Sequence, residues 1–111
     1  MIPFFQRFIT RSELMGLMQV KIKIMGTLKR IVGVDEIFFE EESANSVEDY
    51  INLLVMNYPA LENELLDPFL KNPLPNSLIL VDGVEINNIK GIDTPIKDGS
   101  EIVLLSVTHG G

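Results

Sequence analysis

The residues whose chemistry is easiest to name are the last two, Gly110 and Gly111. They come after an apolar run, Glu101-Ile102-Val103-Leu104-Leu105-Ser106-Val107, with only Thr108 and His109 between. A terminal carboxylate is a poor electrophile until it is activated, usually as an acyl-adenylate. A site that activates such a terminus must grip it closely, and a side chain at either of the last two positions would clash. Glycine lets another backbone approach. Gly111 is therefore expected to carry the activated carbon, and Gly110 to give access to it. A rigid strand just before the pair would aim it. His109 could act as a general base, but the sequence assigns it no carboxylate partner. It is expected instead to help a partner recognise the tail. The competing reading of the whole tail is a frayed end.

The rest of the composition leaves few other chemistries open. There is no cysteine, which excludes disulfides, thiolate metal sites and a thiol nucleophile in this chain. A single histidine cannot build a His-rich metal site. Neither a metal nor a bound cofactor is expected. The formal charge of −7 disfavours direct binding to nucleic acid and suits a basic protein partner, or simply solubility. At 111 residues, 46% of them apolar, the chain can form one core. No apolar run is long enough to span a membrane, and Arg7 and Arg11 interrupt a secretory pattern. A cytoplasmic location is expected, which the lack of cysteine fits.

Residues 1–17 differ in composition from the rest of the chain, with two arginines, one acid and several aromatics. They are expected to be an upstream extension, with Met18 as the natural start. A domain over 18–107 and a flexible tail over 108–111 complete the expected division. From Met18 the chain alternates at once: Val20, Ile22 and Ile24 on one face, Lys21 and Lys23 on the other. A second strand, Val34 to Glu41, puts Ile37 and Phe39 on one face and Phe38 on the other, and the two strands read as an antiparallel hairpin. The acidic run Glu40-Glu41-Glu42 reads as a solvated strand end or a dock for a basic partner.

A helix comes next, capped by Asn45 or Ser46, with Glu48 and Asp49 in its first turn and Pro59 as its stop. Val47, Ile51, Leu54, Val55 and Tyr58 form its buried stripe. One or two further helical turns are expected after it, then a loop rich in proline and asparagine before Ser77. Ser77 to Val81 is a third strand, turned back by Asp82-Gly83, and Asp98-Gly99 makes a second turn. In the final strand Ile102 and Leu104 face the helix, so Val103, Leu105 and Val107 face outward. Either neighbouring strands and the N-terminal segment cover that second apolar face, or a partner does. These three are the candidate interface residues.

The stretch "SLILVDGVEINNIKGIDTPIKDGSEIVLLSVTHGG" resembles the C-terminal half of the β-grasp sulfur-carrier proteins. These include the molybdopterin synthase small subunit, the thiamine-pathway sulfur carrier and the ubiquitin-related modifier. The resemblance is carried by the apolar strand running into Asp82-Gly83, by "TPIKDGSEIVLL" and by the terminal Gly-Gly. The "THGG" ending is most similar to the ubiquitin-related modifier, and "MQVKIKIMGTLKR" resembles the family's opening strand. The resemblance implies an α+β, ubiquitin-like β-grasp fold, a mixed four- to five-stranded sheet packed on one main helix. It implies a protein that is not itself an enzyme. Its partners would be a ubiquitin-activating-type adenylating enzyme, which uses ATP on Gly111, and a sulfurtransferase, which helps turn the adenylate into a thiocarboxylate. The product would serve tRNA thiolation, or Gly111 would be joined to lysines of target proteins. One alternative is the sulfur-donating small subunit of molybdopterin synthase, docked to the large subunit. A third is a β-grasp binding module with no terminal chemistry.

Overall fold

The computed structural model describes residues 16–65 and 77–106. The expected tail with Val107, the expected extension up to Met15 and the proline-rich loop over 71–76 lie outside the described residues. Strand β1 runs Met18–Gly26, helix α1 Thr27–Val32, strand β2 Glu36–Glu41 and the main helix α2 Val47–Asn57. A 3-10 turn, Pro59–Leu61, leads into the short helix α3, Glu62–Leu65. Strands β3, Ser77–Val81, β4, Val84–Glu85, and β5, Glu101–Ser106, complete a five-stranded sheet in the order β2-β1-β5-β3-β4. The β1–β5 pairing at the centre is parallel and the other three are antiparallel.

The alternation in the first two strands does what it implies. Val20, Ile22 and Ile24 are buried, and Ile37 and Phe39 pack against the same core. Phe38 points away. The link between these strands is not a plain turn, since it holds α1, which buries Leu28. Six residues are too few to show a helical period. The helix stops at Gly33, whose positive φ of 84° suits glycine and whose N–H donates to Lys29 O at 2.8 Å.

Helix α2 begins in a reciprocal cap. The Asp49 N–H donates to Ser46 Oγ at 3.3 Å, and Asp49 Oδ2 accepts from the Ser46 N–H at 3.1 Å and the Asn45 N–H at 3.0 Å. Hydrogen bonding, above all from the Asn45 N–H, holds the Asp49 carboxyl below its ordinary range. Val47, Ile51 and Leu54 are buried as their spacing predicts, while Val55 and Tyr58 are only half-buried. Tyr50, outside the expected stripe, is fully buried. Its hydroxyl donates to Ala44 O at 3.3 Å, and its ring meets Phe39 edge-on at 6.3 Å. Tyr50 lies three residues after Val47 and four before Leu54, so helical spacing admits it, and the expected stripe omits it. The hydrogen bond to Ala44 is what lets it go inside.

Candidate functional site: the end of the central strand

The last strand is held from both sides. β5 pairs with β1 from Lys21↔Glu101 to Gly26↔Ser106 and with β3 from Val81↔Ile102 to Ser77↔Ser106. Its start is fixed by two aspartates that the sequence offers only as turn residues. Asp82 Oδ1 accepts from the Glu101 N–H at 2.9 Å, and Oδ2 accepts from Ser100 Oγ at 3.2 Å. Asp98 Oδ1 accepts from the Gln19 N–H at 2.8 Å, and the Gly99 N–H donates to Gln19 O at 2.7 Å. Asp82 has φ 49° and Gly83 φ 86°, the pair of positive values a two-residue hairpin turn needs between Val81 and Val84. The turns are therefore also clamps that set where β5 starts.

At the far end the neighbouring backbone comes close. A Cβ on Gly26 would stand 2.5 Å from Ser106 O and 3.2 Å from Leu105 Cδ1. Its φ of 69° and ψ of −143° suit glycine alone. Glycine here lets β1 run alongside β5 to Ser106, the last described residue before the tail. Gly26 is a positioning residue that the sequence marks only as a strand end.

Ile102 and Leu104 are buried against the helix side, as expected. Val103 and Leu105 lie on the opposite face and are half-buried. The register puts Met25 beside Leu105, and Leu105 beside Leu78. Two residues earlier on the same face, Val103 stands between Leu80 and Lys23, so the fully apolar part of the patch is centred on Leu105. Neighbouring strands thus cover these residues in part, while Met25 stays 42% and Leu78 36% exposed. The outcome is an open apolar patch at the end of the sheet from which the tail departs. The other end of this face is polar: Lys21 Nζ meets Glu101 Oε2 at 3.0 Å. The hydrogen bond from Lys21 to Glu101 raises the Lys21 pKa above its ordinary value. Gly110, Gly111, His109 and Val107 lie outside the described residues. Among the described residues no cluster of histidine, aspartate and glutamate could hold a metal ion, and no helix is long and apolar enough to cross a membrane.

Residues 22–111 match the profile of the ThiS family. The chain belongs to the ThiS family. It is 23% identical over 94 residues to small archaeal modifier protein 3 of Haloferax volcanii, a match spanning 85% of this chain and all of that one. Among solved structures, small archaeal modifier protein 1 from Methanosarcina acetivorans superposes with a TM-score of 0.73 at 27% identity. That match covers 86% of this chain and 98% of the other. Urm1 from Trypanosoma brucei superposes with a TM-score of 0.67 at 20% identity, covering 86% and 97%. The β-grasp fold expected from the sequence is the fold observed. As a ThiS-family chain this is a ubiquitin-like protein of the sulfur-carrier and modifier kind, and not itself a catalyst. The β5 end with Met25, Leu78, Leu80, Val103 and Leu105 is the part of the described surface that lies nearest in sequence and register to the terminal glycines.

Proposed function

We propose that this protein offers its C-terminal carboxylate, at Gly111, to a ubiquitin-activating-type enzyme. A carboxylate oxygen attacks the α-phosphorus of ATP and pyrophosphate leaves, giving an acyl-adenylate. A sulfur nucleophile supplied through a sulfurtransferase then attacks the same carbon. With hydrosulfide as the formal donor, the C–S bond forms, the bond to AMP breaks and a thiocarboxylate results. Attack by a lysine amine instead gives an isopeptide and releases AMP. The thiocarboxylate serves tRNA thiolation and the isopeptide serves protein modification, the two fates implied by the His109-Gly110-Gly111 ending.

In this reading the chain contributes geometry rather than acid–base chemistry. Gly26 and the two aspartate clamps fix β5 at both ends, so the tail leaves from a defined point. The apolar patch around Leu105 docks the activating enzyme, with Val103 and Val107 beside it. Gly110 and Gly111 then enter the adenylating site, with His109 recognised at its mouth. The observation that carries the reading is the pairing of a Gly-Gly terminus with an open apolar patch at the matching end of the central strand, in a chain of the ThiS family.

The test is ATP–pyrophosphate exchange with the cognate activating enzyme, together with the intact mass of the protein purified from its own cells. Deleting Gly110-Gly111 is expected to abolish exchange and leave the thermal melt unchanged. Gly110→Val is expected to be nearly as harmful, because a β-branched side chain narrows the backbone where close approach is needed. Wild-type exchange by the deletion would sink the carrier reading. Wild-type exchange by Gly110→Val alone would remove only the narrow-channel argument. A stable complex with one larger enzyme subunit, without lysine conjugates, would assign the protein to molybdopterin synthase instead.

A further inference from the structure

The patch around Leu105 accounts for one side of the outer face. The other side ends in β2, an edge strand whose chemistry the tail does not use. Its register on β1 runs from Met18↔Glu41 to Lys23↔Glu36. One rung further on, the Ile24 N–H donates to Asp35 O at 2.8 Å, which sets the parity of the ladder. Ile37, Phe39 and Glu41 therefore direct their backbone groups to β1. Glu36, Phe38 and Glu40 direct theirs to the open edge. Among the described residues no backbone hydrogen bond reaches that edge. The same three residues carry their side chains on the outer face, where Phe38 is 69% exposed. Edge strands are normally blunted by charge, and Glu36 and Glu40 do that. A phenylalanine left open between them is the opposite of blunting.

The pattern selects an occupant. An added strand would pair with Glu36, Phe38 and Glu40 through both backbone groups of each, with its own side chains opposite them on the same face. A second copy of β2 is disfavoured. Centred antiparallel on Phe38, it would set Glu36 against Glu40 twice, and in parallel it would set each glutamate against its own kind. A strand with an apolar residue flanked two positions away on each side by lysine or arginine has no such conflict. Its apolar side chain packs on Phe38 and its cations meet Glu36 and Glu40. The order is symmetric, so it fits in either strand direction. Glu40 already accepts a hydrogen bond from the Gln19 side chain at 3.4 Å, and Lys23 stands opposite Glu36 in register. The incoming cations would share these acids rather than meet bare ones.

We infer that the open edge of β2 is a second docking surface, which binds an extended segment of a partner protein with the order basic–any–apolar–any–basic by strand addition, centred on Phe38. It lies two strands from β5, so the partner can be held while the terminus is engaged elsewhere.

The probe is a synthetic peptide containing RFITR, the order of residues 7–11 of this chain, and a control containing EFITE. Each is titrated into the isotope-labelled full-length protein, with amide shifts and hydrogen exchange as readouts. RFITR is expected to shift the Glu36, Phe38 and Glu40 amides and slow their exchange, and EFITE to bind less. Phe38→Ser should weaken binding about fivefold, the size of one good cross-strand pair, without changing the melt. Glu36→Lys combined with Glu40→Lys should reverse the preference in favour of EFITE, an outcome that loss of structure cannot produce. Shifts centred on Leu105, equal affinity for both peptides or no saturable shift would each overturn the inference. So would tighter RFITR binding by the Arg7→Glu, Arg11→Glu protein, because the edge would then belong to the chain's own N-terminal segment.

Discussion

β5 and β2 both leave apolar side chains on the outer face of the sheet, and they do so differently. On β5, at the centre of the sheet, Leu105 lies between Met25 and Leu78 and Val103 lies between Lys23 and Leu80, so each is half-covered by its neighbours. Among the described residues Phe38 on β2 has a strand on one side only, with Lys21 opposite it and Glu36 and Glu40 two positions away along its own strand. An apolar residue amid apolar neighbours makes a broad patch, which suits a folded partner's surface. An apolar residue between two acids on an open edge makes a narrow, backbone-lined slot, which suits a single extended segment. The sheet order that centres β5 leaves β2 at the rim, so one topology produces both surfaces.

The difference between the two faces of β5 is the sharpest point at which to break this comparison. Leu104→Ala removes a fully buried side chain and is expected to cost about 2–5 kcal/mol of stability in a denaturant melt. Leu105→Glu, one residue on, should leave the protein folded and weaken its binding to the activating enzyme. If Leu105→Glu unfolds the protein, the outer face belongs to the core. If it folds and binds normally, the patch is not the dock.

Gly26→Ala tests whether the end of β5 is held in place. The substitution puts a Cβ 2.5 Å from Ser106 O at a backbone conformation that only glycine adopts well. A loss of about 1–3 kcal/mol is expected. Pyrophosphate exchange should fall with it, while RFITR binding at the β2 edge stays near the parent value. Equal loss at both surfaces would mean that the change spreads through the sheet.

Ser46→Ala removes the cap that joins β2's exit to α2, and about 1 kcal/mol of stability should go with it, with neither docking surface altered. The partner in that cap gives the effect a pH dependence. Asp49 has a lowered folded-state pKa, so its contribution is complete above the ordinary carboxylate range and is lost as pH falls through the lowered value. The stability gap between the parent and Asp49→Ala should therefore narrow in acid, as read from melts across that range. The smallest effect is expected from a chain that starts at Met18. Strand alternation begins at Val20, so thermal stability should hardly change, and a large loss would show that the N-terminal aromatics pack on the domain.

Much of the molecule is legible locally. Alternation assigns the faces of β1 and β2 correctly, including the outward turn of Phe38. Ser46 and Pro59 mark the start and stop of α2, and Asp82-Gly83 marks a hairpin turn. Each of these rests on neighbours within a few residues, where backbone geometry and side-chain type decide the outcome. The Gly-Gly terminus and the sulfur-carrier resemblance are likewise sequence properties. Other features depend on residues far apart in the chain. The Asp98 clamp on Gln19 spans 79 positions, and nothing near Asp98 distinguishes it from an ordinary turn residue. Gly26 reads as the end of a strand until Ser106 is placed against it. Tyr50 is absent from the expected stripe, and its burial depends on the acceptor that Ala44 supplies. Phe38 reads as one side of a strand until parallel pairing of β1 with β5 puts β2 on the rim. Periodicity says which face a side chain takes, because it repeats along one strand. Which strand lies beside it is set by pairings between distant segments, and only the tertiary structure carries those.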